Sequence, residues 1–293
     1  MVFPMLQRLL NTREREVHDR LQRAVHRYGA HVFPKVRLAD VFKLDGSGIL
    51  GAQYRFALQS HFDFVVTDSA IDPIFAVEFD GPSHSRSAQE RRDGEKNVLC
   101  DHFRLPLLRI RASHVDFQAR GMDLLSWFIH TWFTQQNLNE AQEAGHLPAD
   151  KPFLASDLLW SPDLPGSFPL QLGLAARSEI ADLAQSRPHM HPIPSYCTGV
   201  DSEGNTHVLV WLRVGEHEWL TARSAARAQY FPIYLSEVVE DIAVIVLVDR
   251  LREYVRGGTG TCPPDQVDDA VRRFRRKYEF RAGGGVGHAA SAG

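Results

Sequence analysis

The stretch FDFVVTDSAIDPIFAVEFDGPSHS, residues 62–85, sets Asp63, Glu78 and Asp80 inside two runs that otherwise read as strands. Glu78 and Asp80 are two apart, so on a strand both side chains leave the same face. Asp63 lies between Phe62 and Phe64, and an antiparallel hairpin through SAIDP can bring it opposite Glu78. Two readings compete: the acids form a polar strand face in water, or they converge on a cation. Three uncompensated carboxylates in a partly buried site repel one another strongly, and a divalent ion removes that cost. An all-oxygen donor set suits a hard ion, Mg²⁺ or Mn²⁺, better than zinc.

The segment after the hairpin supplies the opposite charge. Arg92, Lys96, Leu99 and Phe103 recur at helical spacing, and Leu99 and Phe103 must face the sheet. Lys96 then starts one turn from the buried seam, and its long stem can carry the ammonium to the acids. The plain alternative is one more charge on a wet helix face. Cation, acids and lysine together suit phosphodiester hydrolysis, with a positive group near the attacked phosphorus. His84, in DGPSH, is placed to touch a phosphate or the leaving oxygen, or to cap a turn at the surface. Glu14 or Glu16, in TRERE, is a further acid that can approach the ion or simply open a solvated helix.

These residues need elements to hold them. NTREREVHDRLQRAVHRYG predicts a first helix, capped by Asn11 or Thr12 and ended by Gly29. HVFPKVRL is an extended segment that Pro34 keeps to an edge or bend, and residues 39–60 carry no clear pattern. The two acid-bearing strands follow, then a helix over SRSAQERRDGEKNVLCDHFR and a strand at LPLLRIRA. SHVDFQARGMDLLSWFIHTWFTQQ reads as a single further helix. The αβββαβ order predicts an α/β fold, a mixed central sheet flanked by helices. The expected domain spans residues 1–137, a turn-rich linker 138–166, and a smaller C-terminal α+β region 167–256. In that region YLSEVVEDIAVIVLVDRLREYV reads as a buried helix, with a strand as the alternative. Residues 257–293 hold a basic helix and a Gly/Ala tail expected to be disordered. The run Arg272, Arg273, Arg275, Arg276 and Lys277 is a solvated helix face or a set of phosphate contacts, as is Arg92.

Composition narrows the classes. The 293 residues carry a net charge of −3, so any nucleic-acid contact depends on a local basic surface. Cys100, Cys197 and Cys262 have neither zinc-site spacing nor the density of a disulfide framework. The opening MVFPMLQRLLNTRERE does not read as a secretory signal, and IAVIVLV is too short to span a bilayer. A cytoplasmic protein with no membrane partner is expected.

HFDFVV, AVEFDGPSH, RRDGEKNVL and LPLLRI resemble the core of the PD-(D/E)XK nuclease superfamily. More narrowly they resemble a bacterial domain-of-unknown-function branch related to very-short-patch-repair endonucleases, over about residues 5–135. The resemblance implies a restriction-endonuclease-like core that binds Mg²⁺ and cuts DNA. Asp63 matches the motif aspartate and Glu78 the motif glutamate, and the main-chain carbonyl of Phe79 is implied as a third ligand. Asp80 stands where the superfamily usually has lysine, and Lys96 is the implied replacement. The proline that often precedes the motif aspartate is absent, since the chain reads His61-Phe62-Asp63. One such site cuts one strand, so a duplex break calls for a homodimer or two events. Repair, restriction and phage defence all suit the activity. The rival expectation is a catalytically inactive module of the same fold that binds DNA or another protein.

Overall fold

A computed structural model describes residues 8–80, 86–119, 121–150 and 171–284. The chain divides into two units, one of residues 1–153 with 229–233, the other of 154–228 with 234–293. The first begins with α1 (Thr12–His26), β1 (His31–Arg37), α2 (Leu38–Val41) and α3 (Gly51–Gln59), so residues 39–60 are largely helical. Then come β2 (His61–Thr67), β3 (Pro73–Phe79), α4 (Arg86–Phe103), β4 (Leu107–Ile110) and α5 (Ala112–Asp116). A two-residue ladder, β5 (Gln118–Ala119) with β6 (Met122–Asp123), leads into α6 (Leu124–Glu143).

The strands form a mixed sheet in the order β1-β2-β3-β4, antiparallel twice and then parallel across α4. The fold class is therefore the one expected, α/β with a central mixed sheet. One face carries α1 and α6: His18 lies 6.0 Å from Phe64 and Trp132 5.0 Å from Phe75, centroid to centroid. Beneath the other face Leu38, Phe42, Phe62, Ala76, Leu99 and Leu107 make one core, with α4 laid on it through Leu99. Each fully buried Leu or Phe among them contributes about 1.5–3 kcal/mol. The outer edge of β4 is covered by residues 229–233: the Leu107 N–H donates to the Tyr230 carbonyl at 2.8 Å. Phe231, from the same segment, packs on Phe75 and Trp132.

Two expectations are corrected here. Residues 113–136 are not one helix, because Gly121 takes a left-handed turn (φ 77°) and Asp123 starts α6 by accepting from the Ser126 N–H at 2.7 Å. That helix also runs on to Glu143, into the stretch expected as linker.

The second unit contains α7 (Leu174–Gln185), β7 (Ser195–Val200), β8 (Thr206–Arg213), β9 (Trp219–Ala226), α8 (Leu235–Val255), α9 (Pro264–Lys277) and β10 (Glu279–Gly284). Its sheet is antiparallel in the order β10-β7-β8-β9. IAVIVLV is helical: Val244, Leu247, Val248 and Leu251 are buried at intervals of three and four, which no strand produces. α9 buries Val267, Ala270, Val271 and Phe274 against Cys197, Leu209 and Trp211. Part of the tail is ordered too, since Gly283 and Gly284 pair with β7. A Cβ at either would come within 3.1 Å of Tyr196, so a larger residue there requires Tyr196 or the strand to shift by a few tenths of an ångström. No helix among the described residues is long and apolar enough to cross a membrane.

Candidate functional site

β2 and β3 pair Phe64 with Val77, and the Asp63 carboxylate reaches just past that pair. Its Oδ2 accepts from the Phe79 N–H at 2.9 Å, which ties it to the residue after Glu78. Its Oδ1 accepts from Lys35 Nζ at 2.7 Å, and the same ammonium donates to Glu14 Oε1 at 2.8 Å. Glu14 is itself fixed by a capping box with Asn11 at the start of α1. Lys35 carries its side chain there from a left-handed backbone (φ 54°) at the position opposite Asp63, between the Pro34–Phe64 and Val36–Phe62 pairs, and the β1–β2 register continues unshifted past it. Such a conformation costs a non-glycine residue about 1–3 kcal/mol. Burial works against the Lys35 charge, but its bonds to Asp63 and Glu14 outweigh it and raise the pKa.

Glu78 lies on β3, 5% exposed, and its Oε1 accepts from Lys96 Nζ at 2.6 Å. Lys96 also stands 5.8 Å from the centre of the Phe62 ring, so its stem runs back along the core as the helical spacing required. Burial pushes the Glu78 carboxyl up to about 7; Lys96 pulls it down and the nearby charge of Asp63 pushes it up again. Arg109 is the β4 partner of Glu78 in the sheet. It donates to Asp93 Oδ1 at 2.8 Å and to Asn97 Oδ1 at 3.0 Å, and lies 3.9 Å from Asp80. Asp93 and Asn97 flank Lys96 on α4, so this buried arginine fixes the helix turn that aims the lysine.

Asp63, Glu78 and Lys96 thus lie together at one end of the mixed sheet, while Asp80 stands 3.9 Å from Arg109 and does not join the two acids in a common cluster. The Phe79 contribution here is its N–H, donated to Asp63. Arg92 is exposed on α4. His84 lies outside the described residues. Glu14 approaches Asp63 through Lys35, whereas Glu16 pairs with Arg13 and Arg20. The five cations from Arg272 to Lys277 belong to the second unit and form the solvated face of α9, all exposed on the side opposite the buried Val267, Ala270, Val271 and Phe274. Arg272 and Arg273 pair with Asp269, while Arg275 and Lys277 lie over the Phe280 and Tyr278 rings. Lys35 and Arg109 are the members that sequence reasoning missed. An arginine inside the apolar run LPLLRI was a usable signal; a left-handed lysine was not.

The donor set bears on whether a metal fits. Asp63 and Glu78 offer hard oxygen ligands, and the charge of Asp63 raises the cost of charge on Glu78, which is the condition a divalent ion relieves. Each is also matched by an ammonium, and among the described residues no group of three or more His, Cys, Asp or Glu converges on a common point. An ion shared by both acids therefore requires Lys35 to yield its place on Asp63. The oxygens suit a hard cation only once Lys35 leaves Asp63 and Lys96 gives up part of its bond to Glu78.

Residues 6–123, which hold all of these groups, match the model of a family described as a protein of unknown function, DUF2726. Comparison with curated proteins and with solved structures gives no match.

Proposed function

We propose that the first unit is a metal-dependent nuclease that hydrolyses phosphodiester bonds in DNA, acting in the cytoplasm in repair, restriction or phage defence. The observation that carries the reading is a buried Glu78–Lys96 pair with the Asp63 carboxylate in its field. Asp63 and Glu78 are the residues that hold Mg²⁺ or Mn²⁺, with the Phe79 carbonyl as a further oxygen. When bound, the ion supplies Lewis-acid polarisation of the phosphoryl oxygens and of water. Lys96, freed from part of its bond to Glu78, places a fixed positive charge where negative charge grows in the transition state. Asp80, held near Arg109, orients the attacking water, and His84 assists at the phosphate.

The test is cleavage of supercoiled, linear and single-stranded DNA by purified protein with Mg²⁺ or Mn²⁺, beside Asp63→Asn, Glu78→Gln and Lys96→Ala. The reading requires wild-type cleavage that chelation abolishes and that each variant lowers by about 10²-fold or more. Equal cleavage by Asp63→Asn points to a contaminant. The second reading, an inactive binding module, is favoured by the ammonium already seated on each carboxylate. It requires DNA binding that is unchanged by Mg²⁺, with no product under any condition.

A further inference from the structure

In the second unit, a cavity of about 840 Å³ opens between the edge strand β9 and α9. Arg223, Arg250, Arg272 and Arg273 line it, against the acids Asp265 and Asp269. Four guanidiniums facing two carboxylates leave an excess of positive charge within a concave surface, where field lines concentrate. The pairing is uneven. Asp269 serves both Arg272 and Arg273, and Arg250 donates to the Thr221 carbonyl on the strand edge. The Arg223 side chain makes no hydrogen bond or ion pair with a described residue. It leaves β9 on the face covered by α9, since its cross-strand partner Leu209 belongs to the α9 core.

A second, smaller cavity of about 260 Å³ shares Arg223 and is lined by His207, Phe274 and Tyr278. Its aromatic wall is built of rings packed on one another. His207 and Tyr278 stack at 4.1 Å and 17°, Phe274 packs on Tyr278, and His207 is held by Asp201 at 2.8 Å. An aromatic slot joined to an arginine-lined trough through one guanidinium is a pairing of chemistries with a specific complement. A planar base gains from the slot, and its phosphate gains from bidentate guanidinium contacts. A lone phosphate uses only the trough.

We propose that this composite cavity binds a nucleotide unit, with phosphate among Arg223, Arg272 and Arg273 and base against the His207–Tyr278 wall. The inference is independent of the metal-site reading, because it uses no residue of the first unit. The ligand is either a free nucleotide or one nucleotide of a single strand.

The test is fluorescence anisotropy of the full chain with a short labelled 5′-phosphorylated single-stranded oligonucleotide, in chelator, so that nothing depends on chemistry at Glu78. Arg223→Glu is expected to weaken binding roughly tenfold or more, and Tyr278→Ala by a similar factor. The exposed Arg256→Glu changes net charge equally and is expected to leave affinity within about twofold. Arg223→Gln and far-UV circular dichroism guard against misfolding as the cause. Competition by AMP identifies a free-nucleotide site, and competition by unlabelled strand alone identifies a strand site; both uphold the proposal. Equal losses in Arg223→Glu and Arg256→Glu, or inorganic phosphate competing as well as AMP, overturn it.

Discussion

Glu78 has Lys96 on one oxygen and the charge of Asp63 beside it, yet burial dominates and lifts its carboxyl from 4.5 to about 7. The folded protein therefore holds this proton more tightly than the unfolded chain does. Stability from that source is fully present below about pH 4.5 and is lost as pH rises through 7. Glu78→Gln, which cannot ionise, is expected to raise unfolding free energy by about 1–3 kcal/mol at pH 8 and to change little at pH 4. Thermal melts of both proteins across that range check it; an equal effect at both ends removes the electrostatic cause. Lys35 gives the complementary test. Its ammonium sits where an ion on Asp63 must bind, so Lys35→Met is expected to tighten Mn²⁺ binding roughly fivefold by calorimetry. Unchanged affinity shows that the lysine does not compete.

Arg109 shows how an element can aim a side chain it never touches. It is 6% exposed in a strand whose other residues are apolar, and its guanidinium grips Asp93 and Asn97 across the α4 turn that carries Lys96. Arg109→Ala removes the guanidinium from a buried carboxylate and is expected to cost about 3–5 kcal/mol in urea denaturation. Arg109→Met with Asp93→Leu is expected to recover most of that stability while lowering any activity that depends on the placement of Lys96. Double-mutant denaturation curves separate the two effects. Much of this arrangement was readable beforehand. Period-two runs gave β2 and β3, and Leu99 and Phe103 fixed which side of α4 meets the sheet, and so where Lys96 points. What stayed hidden has common physical roots. The pairing of β1 with β2 sets Lys35 opposite Asp63, but no pattern in the sequence reveals that register, so the contact went unseen. The apolar residues of 113–136 suit one helix, and it is the Gly121 turn between β5 and β6, with the Asp123 cap, that separates α5 from α6.

At the scale of the molecule, the first unit is not a contiguous piece of chain. Tyr230 pairs with Leu107, the Gln229 side chain accepts from the Arg109 N–H at 2.9 Å, and Phe231, 3% exposed, fills the space beside Phe75 and Trp132. No local pattern in residues 229–233 announces this, because a five-residue segment gains its role only from the edge it covers. An uncovered β4 would present unpaired N–H and C=O groups, a template for association with other strands. Phe231→Ala is expected to destabilise the first unit by about 3–5 kcal/mol, the cost of a large buried aromatic. A fragment ending at residue 150 loses the segment entirely, and is expected to melt lower than the same unit in the full chain and to associate with concentration. Adding residues 229–233 back through a flexible linker should restore both properties. A fragment as stable and as monodisperse as the intact protein would show that β4 needs no cover. Activity lost on truncation would then implicate the second unit itself rather than the missing edge.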